Sequence, residues 1–220
     1  MERYLRERKK SVTKKASKKT GLKKPKKAVL ADKKSSPIVI NAKTDSALPV
    51  IADAAGNSLL NSVLVQLEKD PYFRTGYLYQ AAGNLPAAAS CYSQSIQQYP
   101  TAEAYTFLGH VLSLMGELDA ALLQTKKAVE LNPEFGLAWN DLGSYLMEKH
   151  SYEDALDCFE KALKSKSLTG KSLVYFNLAK AYTAKGHFNS AIKAVNQSIT
   201  IDPNFDRALF LKGELERTLN

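Results

Sequence analysis

The sequence predicts an all-α fold, a right-handed α-solenoid of helix pairs preceded by a disordered N-terminal tail. Three observations carry the prediction. An aromatic residue recurs at Tyr72, Tyr105, Trp139 and Tyr175, at intervals of 33, 34 and 36 residues. Within each copy the apolar residues repeat every three to four positions, the period of one face of a helix. Charge also divides the chain: residues 1–50 hold sixteen Lys or Arg against four Asp or Glu, whereas residues 51–220 hold fifteen against eighteen.

The tail comes first in the chain. The lysine pairs Lys14 and Lys15, Lys18 and Lys19, Lys23 and Lys24, and Lys26 and Lys27 are separated by small or polar residues that offer nothing to bury, so residues 1–50 are expected to stay unstructured. The folded domain is expected over residues 57–220. Leu59, Leu60, Val63, Leu64 and Leu67 form one apolar stripe, which predicts a capping helix over residues 57–69. Asp70 and Pro71 then suit the cap and first turn of the next helix.

Four copies follow, over about 69–101, 102–135, 136–171 and 172–205. In the third, Trp139 and Leu142 share a face that Leu146 continues, and Gly143 lets a neighbouring helix approach because it has no side chain. A turn at 149–151 leads to a second helix carrying Ala155, Phe159 and Ala162. Trp139 is expected in the core. The other copies keep this register with Gly76, Ala88 and Pro100, with Gly109, Ala121 and Pro133, and with Ala179, Ala191 and Pro203. Two departures stand out. Thr75 replaces the leucine of the first copy and Ser167 the proline of the third, and the junction at 167–171 is two residues longer than the period, which predicts a looped-out or slightly splayed connection. A last helix over residues 206–219, opened by Asp206, closes the apolar end of the stack.

These residues resemble the tetratricopeptide repeat family over residues 69–220. The resemblance implies that the first helix of each pair lines a concave groove, with residues one and five places after the opening aromatic facing into it. Here those are Phe73 and Tyr77, Thr106 and His110, Asn140 and Ser144, Phe176 and Lys180, then Phe210 and Glu214. Aromatic ends around a polar middle suit a peptide or helix of a protein partner. Members that grip acidic chaperone C-termini use a set of Lys, Asn and Arg in this groove. Phe73 and Tyr77 stand where Lys and Asn would be, so that clamp is not expected.

Nothing in the sequence forms a catalytic or cofactor-binding constellation. His110, His150 and His187 fall in different repeats, and Glu153 with Asp154 and Glu214 with Glu216 read as helix-surface charge. No metal, cofactor or enzymatic activity is expected. Cys91 and Cys158 occupy equivalent places two repeats apart, too far to bridge. The N-terminus lacks a signal peptide's apolar core and no run of apolar residues would span a bilayer, which points to the cytoplasm, or to the nucleus in a nucleated cell. The leading functional expectation is a non-catalytic adaptor or assembly factor. The alternatives are a nucleic-acid-associated protein whose tail contacts phosphate backbones or another anionic surface while the repeats recruit a partner, and a small secretion or assembly chaperone.

Overall fold

A computed structural model describes residues 58–168 and 170–219, with side chains from residue 62. The expectations for the tail therefore lie outside the described residues. Among the described residues ten helices follow one another. These are α1 (Ser58–Lys69), α2 (Pro71–Ala81), α3 (Leu85–Gln98), α4 (Ala102–Leu114), α5 (Leu118–Leu131), α6 (Gly136–Glu148), α7 (Tyr152–Lys164), α8 (Lys171–Ala184), α9 (Phe188–Ile201) and α10 (Asp206–Leu219). No strand occurs among the described residues. The chain is an α-solenoid of antiparallel pairs, α2 with α3, α4 with α5, α6 with α7 and α8 with α9, between two flanking helices.

The pairs close on a shared rule. The small residue four places after each opening residue faces a residue sixteen places further on, in the second helix: Gly76 meets Tyr92, Gly109 meets Thr125 and Gly143 meets Phe159. In the fourth pair Ala179 and Val195 hold those places, both fully buried. A methyl group on Gly143 would lie 2.6 Å from the Phe159 ring, so the close packing of α6 on α7 depends on the missing side chain.

Local chemistry sets the helix ends. The Asp70 carboxylate accepts hydrogen bonds from the backbone N–H of Tyr72 (2.8 Å) and Phe73 (3.1 Å), and from the Ser95 hydroxyl (2.6 Å), so one buried residue caps α2 and ties it to α3. Asn84 and Thr101 cap α3 and α4 in the same way. The turn between the helices of a pair needs a left-handed residue, supplied by Gly83, Gly116 and Gly186; in the third pair His150 takes it with φ 60°. At the long junction after α7, the hydroxyls of Ser165 and Ser167 both donate to the Glu134 carbonyl, and Leu168 and Ser165 are buried against Gly136. The extra residues thus fold back into the packing, with Gly170 at φ 70° opening α8.

The opening aromatics differ from expectation. Trp139 is only half-buried: its indole N–H donates to the Pro133 carbonyl (2.8 Å) and the Lys161 ammonium lies 4.7 Å above its ring. It borders both of the core clusters, one running from α1 to Cys158 and the other from Ala155 to α10, and so it bridges them rather than filling either. In α1, Val63 and Leu67 are buried while Leu64 is exposed, so the apolar stripe is narrower than the sequence suggests.

Candidate functional site, the inner face of the first helices

First helices touch one another from pair to pair, α4 against α6 and α6 against α8, whereas second helices of successive pairs do not meet to that extent. A stack joined more tightly along one side curves toward it, so the first helices form the inner face. The structure divides the expected groove residues into two sets. Phe73 is fully buried, its ring against Tyr92 and Phe107 at 5.4 and 5.1 Å. Thr106 is buried and its hydroxyl is used on the Ala102 carbonyl (2.7 Å). Asn140 is buried, and its side-chain oxygen accepts from the Asn177 amide (3.0 Å). Phe73 and Asn140 join neighbouring pairs, and none of the three is open to a partner, which corrects the expectation for Phe73 in particular. The cause is the next first helix, which lies over the position one place after the opening aromatic.

The remaining residues are reachable. Tyr77 is half-buried beside Phe107, and burial raises its hydroxyl pKa. His110 is exposed by area, yet its ring sits deep enough that desolvation lowers its pKa; its Nδ1 is 3.0 Å from the Gln80 amide, which in turn accepts from the Tyr92 hydroxyl (2.8 Å). Ser144 is half-buried and its hydroxyl donates to the Asn140 carbonyl (3.0 Å). At the C-terminal end, Phe176, Lys180, Asp206, Arg207, Phe210 and Leu211 line an open groove of about 490 Å³. Phe176 is buried at its base against Phe205, with the Arg207 guanidinium and the Lys180 ammonium 5.3 and 5.9 Å from its ring centre. Phe210 is 69 % exposed because no further first helix covers it. Glu214 is ion-paired with Arg217 on α10.

One column of inner-face residues escaped the sequence reading. The residues two places after each opening residue pack onto the preceding pair: Phe107 on Phe73 and Tyr77, and Asn177 on Asn140 and Ser144. Asp141 holds this place in the third pair and Leu211 in the last helix. The signal was present as a column reading Arg74, Phe107, Asp141, Asn177, Leu211, but its meaning depends on which helix face meets the neighbour. Asp141 is the chemically distinct member. Burial pushes its carboxyl up to about 7, partly offset by a hydrogen bond from the Asn140 amide (3.3 Å). One turn on, burial and then the Asp141 charge raise the pKa of the Tyr145 hydroxyl, partly offset by a hydrogen bond with the Ser113 side chain of α4.

Elsewhere the charged groups have structural roles. Glu153 pairs with Lys185, Asp119 with Lys149 and Asp157 with Lys161. His150 contacts the Tyr152 hydroxyl (2.8 Å) and His187 lies beside Tyr182. Cys91 and Cys158 are free thiols, and burial pushes Cys158 up to about 11. Among the described residues no group of three or more His, Cys, Asp or Glu could hold a metal ion, and no helix is long and apolar enough to cross a membrane. The lysines of the tail lie outside the described residues.

Paired helices, left-handed turns and an inner face built from first helices define a helical-repeat protein. Tetratricopeptide repeat models match residues 72–102, 102–135 and 134–204, together more than half of the chain, and the chain belongs to the tetratricopeptide repeat family. Among curated relatives it is 30 % identical over 110 residues to the STIP1 homolog of Dictyostelium discoideum, covering 48 % of this chain and 20 % of that one. The chain spans between 8 and 26 % of the length of the curated relatives it matches. Among solved structures, a crystal structure of MamA aligns with TM-score 0.58 at 25 % identity, over 65 % of this chain and 83 % of that one. PilF of Pseudomonas aeruginosa aligns with TM-score 0.65 at 21 % identity, over 68 % of each, a likeness of fold.

Proposed function

We propose that the protein is a non-catalytic binding scaffold, an adaptor or assembly factor that holds an extended or helical segment of another protein along its inner face. The observation that carries this reading is the open groove formed by Phe176, Lys180, Asp206, Arg207, Phe210 and Leu211. Phe210 presents most of its ring to water beside two cations, an arrangement suited to an apolar side chain flanked by polar or acidic groups. The family supports it at the level of class, and the polar row of His110, Ser144 and Asn177 supplies hydrogen-bonding groups along the same face.

Capture of partners by the full-length protein tests the reading. Phe210→Ala should weaken binding by more than about 1 kcal/mol if the ring is a hot spot, and should leave the helical signal and melting temperature near wild type because little packs on Phe210. Lys193→Glu, on the exposed side of α9, is the control. A partner that tolerates Phe210→Ala but is lost with Lys193→Glu binds the outer face, and the groove reading then fails.

A further inference from the structure

The N-terminal helix lies on the face that a partner would use. α1 touches α2 and α4, the first helices of two successive pairs, and does not meet α3, the second helix between them in the chain, to that extent. A helix set against two first helices, and not against the second helix between them, sits on the inner side of the stack. Its anchors are Val63 and Leu67, four residues apart and 3 and 5 % exposed. They join the core cluster that contains Phe73 and Leu108 and against which Tyr77 and Phe107 pack. The N-terminal end of the inner face is thus an aromatic-lined seat already filled by a short helix.

The seat holds α1 narrowly. Leu64 and Val65, between the two anchors, stay 37 and 43 % exposed, and among the described residues no ion pair joins α1 to the rest. A helix of 12 residues is marginal in water by itself, so α1 is ordered by this contact and is lost with it. Its link to α2 is the single residue Asp70, which caps α2 and accepts from Ser95, so the first pair keeps its own fastening when α1 leaves. We propose that α1 is a displaceable internal occupant: residues 58–69 cover the N-terminal end of the inner face and yield it to a partner segment of the same kind, an amphipathic helix with apolar residues four places apart. The proposal rests on the inner-face reading above and names the partner chemistry at the end of that face opposite to Phe210. A tethered helix competes at an effective concentration on the order of millimolar, so a free helix binds weakly until α1 is released.

The probe is a fluorescently labelled synthetic peptide of residues 58–69, and its binding to the full chain is read by anisotropy. Val63→Asp with Leu67→Asp in the full chain detaches α1, and this variant should bind the peptide at least about tenfold more tightly than wild type, whose own helix holds the seat. A peptide carrying the same two substitutions should bind neither protein. In the detached chain Tyr77→Ala should weaken peptide binding severalfold, while Phe210→Ala at the far end should leave it unchanged. Where the two aspartates lower the melting temperature of the helix pairs, Val63→Ala with Leu67→Ala takes their place, with the same ordering expected. Wild type binding the peptide as tightly as the detached chain, a detached chain that does not bind it, or binding indifferent to Tyr77→Ala each overturns the proposal. None of these outcomes touches the C-terminal groove, whose reading fails on its own through the partner test of Phe210→Ala, so the two failures are told apart.

Discussion

At the scale of single residues, two glycines in equivalent places should respond in opposite directions. Gly143→Ala would drive a methyl group into the fully buried Phe159 ring and should destabilise the domain by roughly 1–3 kcal/mol, read from the urea midpoint. Gly213 has the same register in α10 but meets nothing within 4 Å. Gly213→Ala should therefore raise stability by up to about 1 kcal/mol through helix propensity alone. Asp141 makes a pH prediction. Its folded-state pKa, about 7, lies above the ordinary carboxyl value of 3.8, so the protonated carboxyl favours the folded state. That stability is complete below about pH 4 and is lost as pH rises through 7, by at most about 4 kcal/mol. Its neighbours include Asn140, which donates to it, and Tyr145, the pKa of whose hydroxyl its charge raises. Melting curves of Asp141→Asn should lose the decline between about pH 4 and pH 7 that wild type shows.

Helices and their pairings were the most legible level. Apolar spacing locates the helices because one buried stripe per helix is enough to mark a 3.6-residue period, and Asp70, Pro71 and the turn glycines mark their ends. What the sequence hid was depth. The position of Trp139 in the repeat suggests a core residue, yet the half-buried ring lies on the seam between the two core clusters with Lys161 over it. Phe73 was the reverse: a residue expected to be open, fully covered by Phe107 of the next pair. Both errors have one cause, since coverage is decided by a neighbouring pair whose angle no single copy encodes. Trp139→Ala should accordingly cost less than Phe159→Ala, for which a loss of about 3–5 kcal/mol is expected. It should instead uncouple the two core clusters, visible as a broader urea transition or as separate transitions from probes placed in α3 and α9.

Across the whole molecule, the last helix shows how the stack is closed. The places of the buried Leu142 and half-buried Leu146 of α6 are taken in α10 by Lys212 and Glu216, joined as an ion pair 3.8 Å apart, so the face that would receive a second helix is wetted instead. Lys212→Leu with Glu216→Leu should turn that face apolar and promote self-association, measurable by sedimentation at increasing concentration. The functional face was legible only in part: position told which residues belong to the first helices, but the usable groove depends on where cover ends. Phe210 is accessible for that reason and Phe176, at the same register, is not.

The glycines that receive a side chain inside three of the helix hairpins have a consequence for fidelity. A chain of near-identical repeats risks docking a helix on the wrong neighbour during folding, because every alternative buries a similar apolar stripe. Here the counterparts differ: Tyr92 opposite Gly76, Thr125 opposite Gly109 and Phe159 opposite Gly143, with the buried Ala179 and Val195 at the same places of the fourth pair. Phe159 set against Gly109 would not fit the space that Thr125 fills, and Thr125 set against Gly143 would leave a void. The second and third hairpins thus carry different keys, and exchanging α5 with α7 should give a protein with the same helices that folds slowly and to a mixture.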